Sequence, residues 1–173
     1  MIFVSGIHGV GKTFFCNMIK EKLNIKSYSA SQLIAAKRKS SFSERKLVSD
    51  IDDNQCLLLT AVEELRRTSE EFILDGHFCL LNEDRNITRI PLDTFVRLNP
   101  DAIILLTENP EIIAERRQQR DNVQQSVLEI KAFQEAEKLY AEEIAEQFNI
   151  PLVISQGEGD LDRMLDFIKE RGH

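Results

Sequence analysis

The 173-residue chain predicts an α/β domain of three layers, a five-stranded parallel sheet covered by helices on both faces. Three observations carry that expectation. Strand-type and helix-type patterns alternate along the whole chain. Ala102–Leu106 is an unbroken apolar run of the kind found in a parallel strand buried on both sides. With only 7 glycines and 4 prolines, no linker is long enough to divide the chain into two domains. A hydrophobic fraction of 42% beside 29% charged residues fits a globular domain and excludes disordered and fibrous classes.

The first strand covers Met1–Ser5, followed by a glycine-containing turn and a helical pattern from about Lys12 to Leu23. Ile25–Ser29 is a second short strand. A polar, basic helix follows over about Ser31–Arg45, and a more amphipathic one over about Asp52–Thr68. Phe72–Asp75 reads as a buried strand ending in an acid. Gly76–Ile90 then reads as a long polar loop, of a length usually tied to function in a compact domain. A short helix near Leu92–Leu98 leads into the apolar strand. Pro110 opens the next helix, lasting to about Gln119, because its missing N–H falls where a helix has no use for one. A long charged helix runs over about Ser126–Phe148, packed by Leu128, Phe133, Ala136, Leu139 and Tyr140; Pro151–Ile154 is the last strand and Leu161–Arg171 the closing helix.

Charge narrows the partners. With 22 Lys plus Arg against 29 Asp plus Glu, the chain carries a formal −7, which argues against DNA and broad nucleic-acid binding while leaving room for a locally basic site that takes a small anion. Cys16, Cys56 and Cys79 are odd in number and lack the paired spacing of a metal or redox motif, so they read as reduced, mostly buried thiols. No apolar run approaches the roughly 20 residues that cross a bilayer, and Met1–Val4 is too short for the apolar part of a signal peptide. The expectation is a cytoplasmic protein without membrane contact.

Gly6-Ile7-His8-Gly9-Val10-Gly11-Lys12-Thr13 fits G-x-x-x-x-G-K-[ST], directly after a predicted strand and directly before a predicted helix. In such a loop the glycines let backbone N–H groups turn inward as an anion nest, and the helix N-terminus adds partial positive charge behind the phosphates of ATP. The ATP-binding positions are therefore Gly6, His8, Gly9, Val10, Gly11, Lys12, Thr13 and Phe14. His8 and Val10 occupy free positions of the motif, and the His8 side chain is assigned no chemistry. Lys12 supplies a mobile charge for the β and γ phosphates, and the Thr13 hydroxyl suits Mg²⁺, the one cofactor implied. Asp75, closing an apolar strand, is the second candidate for holding Mg²⁺, commonly through water. His77 faces a substrate or caps its loop.

The phosphate loop, Asp75-Gly76-His77, Leu98-Asn99-Pro100-Asp101 before the apolar strand and the arginine segment Arg116–Asp121 together resemble adenylate kinases, with closer similarity to the archaeal-type and ribosome-associated branches. The resemblance spans roughly residues 1–155, within one domain over 1–173. It implies a sheet of order 2-3-1-4-5, an acceptor-binding region about 30–70, a short lid about 116–126, and transfer of the ATP γ-phosphoryl group to a nucleoside monophosphate. Arg116 and Arg120 are four apart on a predicted helix and share a face, with Arg117 beside them, so Arg116 and Arg120 join Lys12 and Asp75 as catalytic candidates and Arg116 also faces ATP. The same segment also reads as a solvated basic turn paired with Glu111, Glu115 and Asp121. Candidates for gripping the acceptor are Arg45, His77, Arg85 and Arg89, whereas Lys37-Arg38-Lys39 reads first as a solvated face, with substrate or RNA contact as the lesser alternative. The loop Ser155-Gln156-Gly157 approaches the nucleotide base in the resembling family. Another small-molecule kinase, or an ATPase switch acting on a protein or ribonucleoprotein partner, would share this phosphate loop.

Overall fold

The computed structural model describes residues 1–40, 51–68, 71–82, 84–122 and 124–171. Five strands form one parallel sheet, β1 (Ile2–Ser5), β2 (Lys26–Ser29), β3 (Phe72–Asp75), β6 (Ala102–Thr107) and β7 (Leu152–Gln156), in the order β2-β3-β1-β6-β7. Taken in chain order, these five lie as 2-3-1-4-5. β1 is central, pairing Ile2 with Ile73 on one side and with Ala102 on the other. Every residue of β1 is buried, as are the first five of β6, because helices cover both faces and leave no polar side to the sheet.

Between β3 and β6 the expected polar loop is instead a two-stranded antiparallel hairpin, β4 (Cys79–Leu81) and β5 (Ile87–Arg89). Strands of three residues are too short to display an alternating pattern. The hairpin is nevertheless anchored, since Phe78 at its foot is fully buried and stacks on Phe95 at 4.8 Å, with Phe3 edge-on at 5.1 Å. Its turn is closed by Asn82, whose carbonyl and side-chain oxygens accept from the Arg85 and Asn86 backbone N–H groups, and Arg85 takes a left-handed conformation at φ 63°.

The helices are α1 (Lys12–Leu23), α2 (Ala30–Ser40), α3 (Ile51–Thr68), α4 (Leu92–Leu98), α5 (Pro110–Asp121), α6 (Val127–Phe148) and α7 (Leu161–Lys169). Local chemistry sets several of their ends. Asn109 caps α5 by accepting from Glu111 N–H at 2.9 Å, and Ser126 caps α6 by accepting from Leu128 N–H at 3.2 Å. α1, α4, α5 and α6 each stop on an asparagine in the left-handed region, Asn24, Asn99, Asn122 and Asn149. The buried stripe of α6 is Ile130, Phe133, Glu137, Tyr140, Ala141, Ile144 and Ala145, whereas Leu128 and Leu139 are exposed, so the apolar face is rotated from the one the sequence pattern indicates. Of the cysteines, Cys16 and Cys79 are buried and Cys56 is exposed.

This topology fixes where a ligand binds. From β1 the chain runs to β2 and β3 on one side and then returns to β6 and β7 on the other, which opens a crevice at the carboxyl ends of β1, β3 and β6.

Candidate functional site

The phosphate loop occupies that crevice. Gly6 sits at φ 147°, and a Cβ there would lie 2.6 Å from the Leu106 carbonyl oxygen, so the loop can leave β1 this close to β6 only as glycine. Gly11, at φ 110°, turns the chain into α1, whose first residue is Lys12. Lys12 Nζ donates to the Gly6 carbonyl at 2.6 Å and lies 3.9 Å from Asp75 Oδ1, at the end of the neighbouring strand. Burial pushes the Lys12 pKa down and the Asp75 pKa up, while the attraction between the two opposes both shifts. Asp75 Oδ1 is buried and accepts no hydrogen bond from the described residues. Thr13 and Phe14 are exposed on the first turn of α1 and line the cleft.

His77 is brought to the same place. Its Nδ1 is buried without a hydrogen-bond partner, and burial, reinforced by the positive charge of Lys12, pushes its pKa down to about 3. The ring is neutral at ordinary pH.

The three arginines of α5 divide their roles differently from the sequence expectation. Arg116 lines the cleft, donating to the Val10 carbonyl at 3.3 Å and to Glu108 Oε2 at 3.4 Å. Arg117 is buried; its Nε donates to the His8 carbonyl at 2.8 Å and its terminal nitrogens reach the same carbonyl and Gln125. It therefore braces the phosphate loop from behind, which a neighbour-in-sequence argument did not separate from its two partners. Arg120 is exposed beside the cleft, forked onto Asp121 at 2.8 Å and in contact with His8 Nε2. The His8 side chain faces solvent and also meets Asp121 Oδ2 at 3.2 Å.

A cleft of about 1550 Å³ surrounds these groups. Single-ligand pockets usually enclose roughly 300–1,000 Å³, so this one has room for two ligands. On the β6–β7 side its wall includes Thr107, Glu108, Ser155, Gly157 and Leu161; on the α2–α3 side it includes Tyr28, Ile34, Arg38, Gln55 and Leu58. Among the described residues six cationic side chains line it, Lys12, Lys20, Lys26, Arg38, Arg116 and Arg120, against the carboxylates of Asp75 and Glu108. A basic cavity in a chain of net charge −7 is suited to a polyanion.

Of the acceptor candidates among the described residues, only His77 is in the cleft wall. Arg45 lies outside the described residues. Arg85 stands in the exposed hairpin turn and Arg89 turns away, paired with Glu143 through two contacts of 2.6 and 2.8 Å and resting 4.5 Å above the Tyr140 ring. Among the described residues the α2–α3 wall presents the cation Arg38, whose Nη2 donates to Asn54 Oδ1 at 2.6 Å. Lys37 instead pairs with Glu64 on the outside, so the basic run splits between cleft and surface.

A residue that no sequence pattern singles out lies beneath the site. Glu137 of α6 is 1% exposed and accepts from Phe78 N–H at 2.8 Å, from Cys79 N–H at 2.7 Å and from the Ser5 hydroxyl.

Comparison with known proteins agrees with this geometry. Residues 5–134 match the family described as an AAA domain. The chain is 28% identical over 149 residues to an adenylate kinase of Pyrobaculum aerophilum, covering 81% of this chain and 76% of that one. The solved structure of TT1252 from Thermus thermophilus superposes with a TM-score of 0.59 at 16% identity, covering 99% and 97% of the two chains. A gluconokinase from Sinorhizobium meliloti follows at 0.53, also at 16% identity and over 99% and 97%. These structural likenesses extend to the fold, and the family match spans most of the chain: it belongs to the AAA-domain family of phosphate-loop proteins and is adenylate-kinase-like within it.

Proposed function

We propose that the protein is a nucleotide kinase that transfers the γ-phosphoryl group of ATP to a nucleoside monophosphate. The observation that carries the reading is a single basic cleft with room for two ligands, with Lys12 and Asp75 3.9 Å apart at its centre and Arg38 on the acceptor side. In the transfer, an acceptor phosphate oxygen forms a bond to the γ-phosphorus as the bond to the β–γ bridging oxygen breaks, leaving ADP and a nucleoside diphosphate. Such a reaction needs little covalent help from the protein, only alignment and neutralisation of charge. Lys12 and the phosphate-loop N–H groups hold the donor phosphates, Arg116 and Arg120 face the transferred group from α5, and Arg38 holds the acceptor's phosphate.

The donor set suits Mg²⁺. Asp75 Oδ1 is a buried carboxylate oxygen with its hydrogen-bonding capacity unused, and Thr13 presents a hydroxyl on the same wall. Among the described residues no three His, Cys, Asp or Glu side chains group to hold a metal unaided, which matches an ion that takes its remaining oxygens from phosphate and water. Bound there, the ion would neutralise charge on the β and γ phosphates.

The test is an assay with Mg·ATP and each nucleoside monophosphate, following ADP and the new diphosphate separately. The expected result is diphosphate formation with one or two acceptors, lowered about 10²–10³-fold in Lys12→Ala by loss of its charge from the transition state. ADP without any phosphorylated nucleotide would end the reading and direct attention to another small acceptor or to an ATPase cycle coupled to a partner.

A further inference from the structure

Glu137 occupies a position that packing alone would give to leucine. It lies in the buried stripe of α6 between Phe133 and Tyr140, and a carboxylate in such a place is costly unless its oxygens are fully hydrogen-bonded. They are: Oε1 accepts from Phe78 N–H at 2.8 Å and from the Ser5 hydroxyl, and Oε2 from Cys79 N–H at 2.7 Å. These donors come from two separate stretches of chain, each abutting the site. Ser5 immediately precedes Gly6, whose carbonyl receives Lys12 Nζ at 2.6 Å, and Phe78 immediately follows Asp75-Gly76-His77. One carboxylate thus ties the root of the phosphate loop to the root of the segment carrying the candidate metal ligand. Its negative charge also acts on Lys12, opposing the effect of burial on that ammonium.

We propose that Glu137 is a positioning residue for phosphoryl transfer, holding Lys12 and Asp75 in register through Ser5 and the Phe78–Cys79 backbone. A purely structural carboxylate would stabilise the fold and leave turnover per folded molecule unchanged. Loss of a positioning carboxylate lowers kcat while substrate affinity and folding persist. The proposal rests on the kinase reading only for its choice of assay.

The experiment compares the full-length chain with Glu137→Gln and Ser5→Ala. The first keeps the side-chain shape but replaces one acceptor oxygen by a donor facing groups that already donate; the second removes one hydrogen bond. The readouts are kcat and KM for Lys12-dependent turnover of Mg·ATP, together with the melting temperature. The expected result is a kcat lower by about tenfold or more in Glu137→Gln, with KM for ATP held within about threefold, and a smaller loss of the same kind in Ser5→Ala. A folded Glu137→Gln with kcat within about twofold of wild type, or a change confined to KM, overturns the proposal. Should Glu137→Gln fail to fold, Ser5→Ala decides by whether its kcat falls with KM and melting temperature retained.

Should the wild type turn over no nucleotide, the kinase reading fails by itself. The positioning role is then read from crystal structures of wild type and Glu137→Gln, which need no turnover. Displacement of Lys12 Nζ and Asp75 from their 3.9 Å approach supports it, and an unchanged approach overturns it.

Discussion

Burial sets the protonation of the cleft residue by residue. His77, with its pKa pushed down to about 3 by burial, stays neutral wherever the protein is folded at ordinary pH. In the unfolded chain the same imidazole titrates near 6.5, so between pH 6.5 and 3 the unfolded state binds a proton that the folded state refuses. Stability therefore declines as pH falls through this window, by at most about 1.4 kcal/mol per pH unit. Denaturant titrations at pH 7.5 and 5.0 should show a steeper loss in wild type than in His77→Gln, and parallel losses would contradict the buried, neutral ring. At this scale the sequence was legible where the pattern is local. Lys12, Thr13 and Asp75 announce themselves because a phosphate loop and a strand-end acid are short, contiguous patterns. Glu137 and Arg117 do not, since their roles come from partners as distant as Ser5 and His8, and a glutamate in a charged helix has no local signature.

The strands β1, β3 and β6 were readable as apolar runs buried on both sides and the longer helices from their helical patterns; the hairpin was not. β4 and β5 are three residues each, and what fixes them is Phe78 inserted among Phe3, Phe95 and Tyr140, together with the Tyr140 hydroxyl donating to the Ile90 carbonyl at 2.8 Å. Treated as a loop, this stretch offered Arg89 to the cleft; formed as a hairpin, it hands Arg89 to Glu143 and the outer face of α6. Arg89→Ala should consequently leave kcat and the acceptor KM within about twofold of wild type, in keeping with an exposed ion pair. Arg38→Ala, by contrast, should raise the acceptor KM with little effect on ATP. Steady-state kinetics with the productive acceptor reads both, and a strong acceptor defect in Arg89→Ala would return that residue to the site.

Across the whole molecule, the crevice lies where the sheet's winding reverses, and its described walls come from α1, α2, α3, α4, α5, α7, from β2 and from the sheet's other strands. A ligand bound there bridges most of the domain, so binding must report on global unfolding. At 100 times its dissociation constant, Mg·ATP should add about 2.7 kcal/mol to the unfolding free energy and raise the melting temperature by roughly 5–10 °C. At the same ATP concentration the shift should shrink in Lys12→Ala, and an unchanged shift would remove Lys12 from the binding site. The four asparagines that end α1, α4, α5 and α6 lead to a different consequence. All four are solvent-exposed, yet each holds a backbone conformation that side chains other than glycine and asparagine adopt reluctantly. Asn149→Ala should cost about 1 kcal/mol by urea denaturation with no change in activity. Across relatives, therefore, restricted variation at 24, 99, 122 and 149 would record the geometry of helix endings, and reading it as a mark of ligand contact would mistake backbone conformation for recognition.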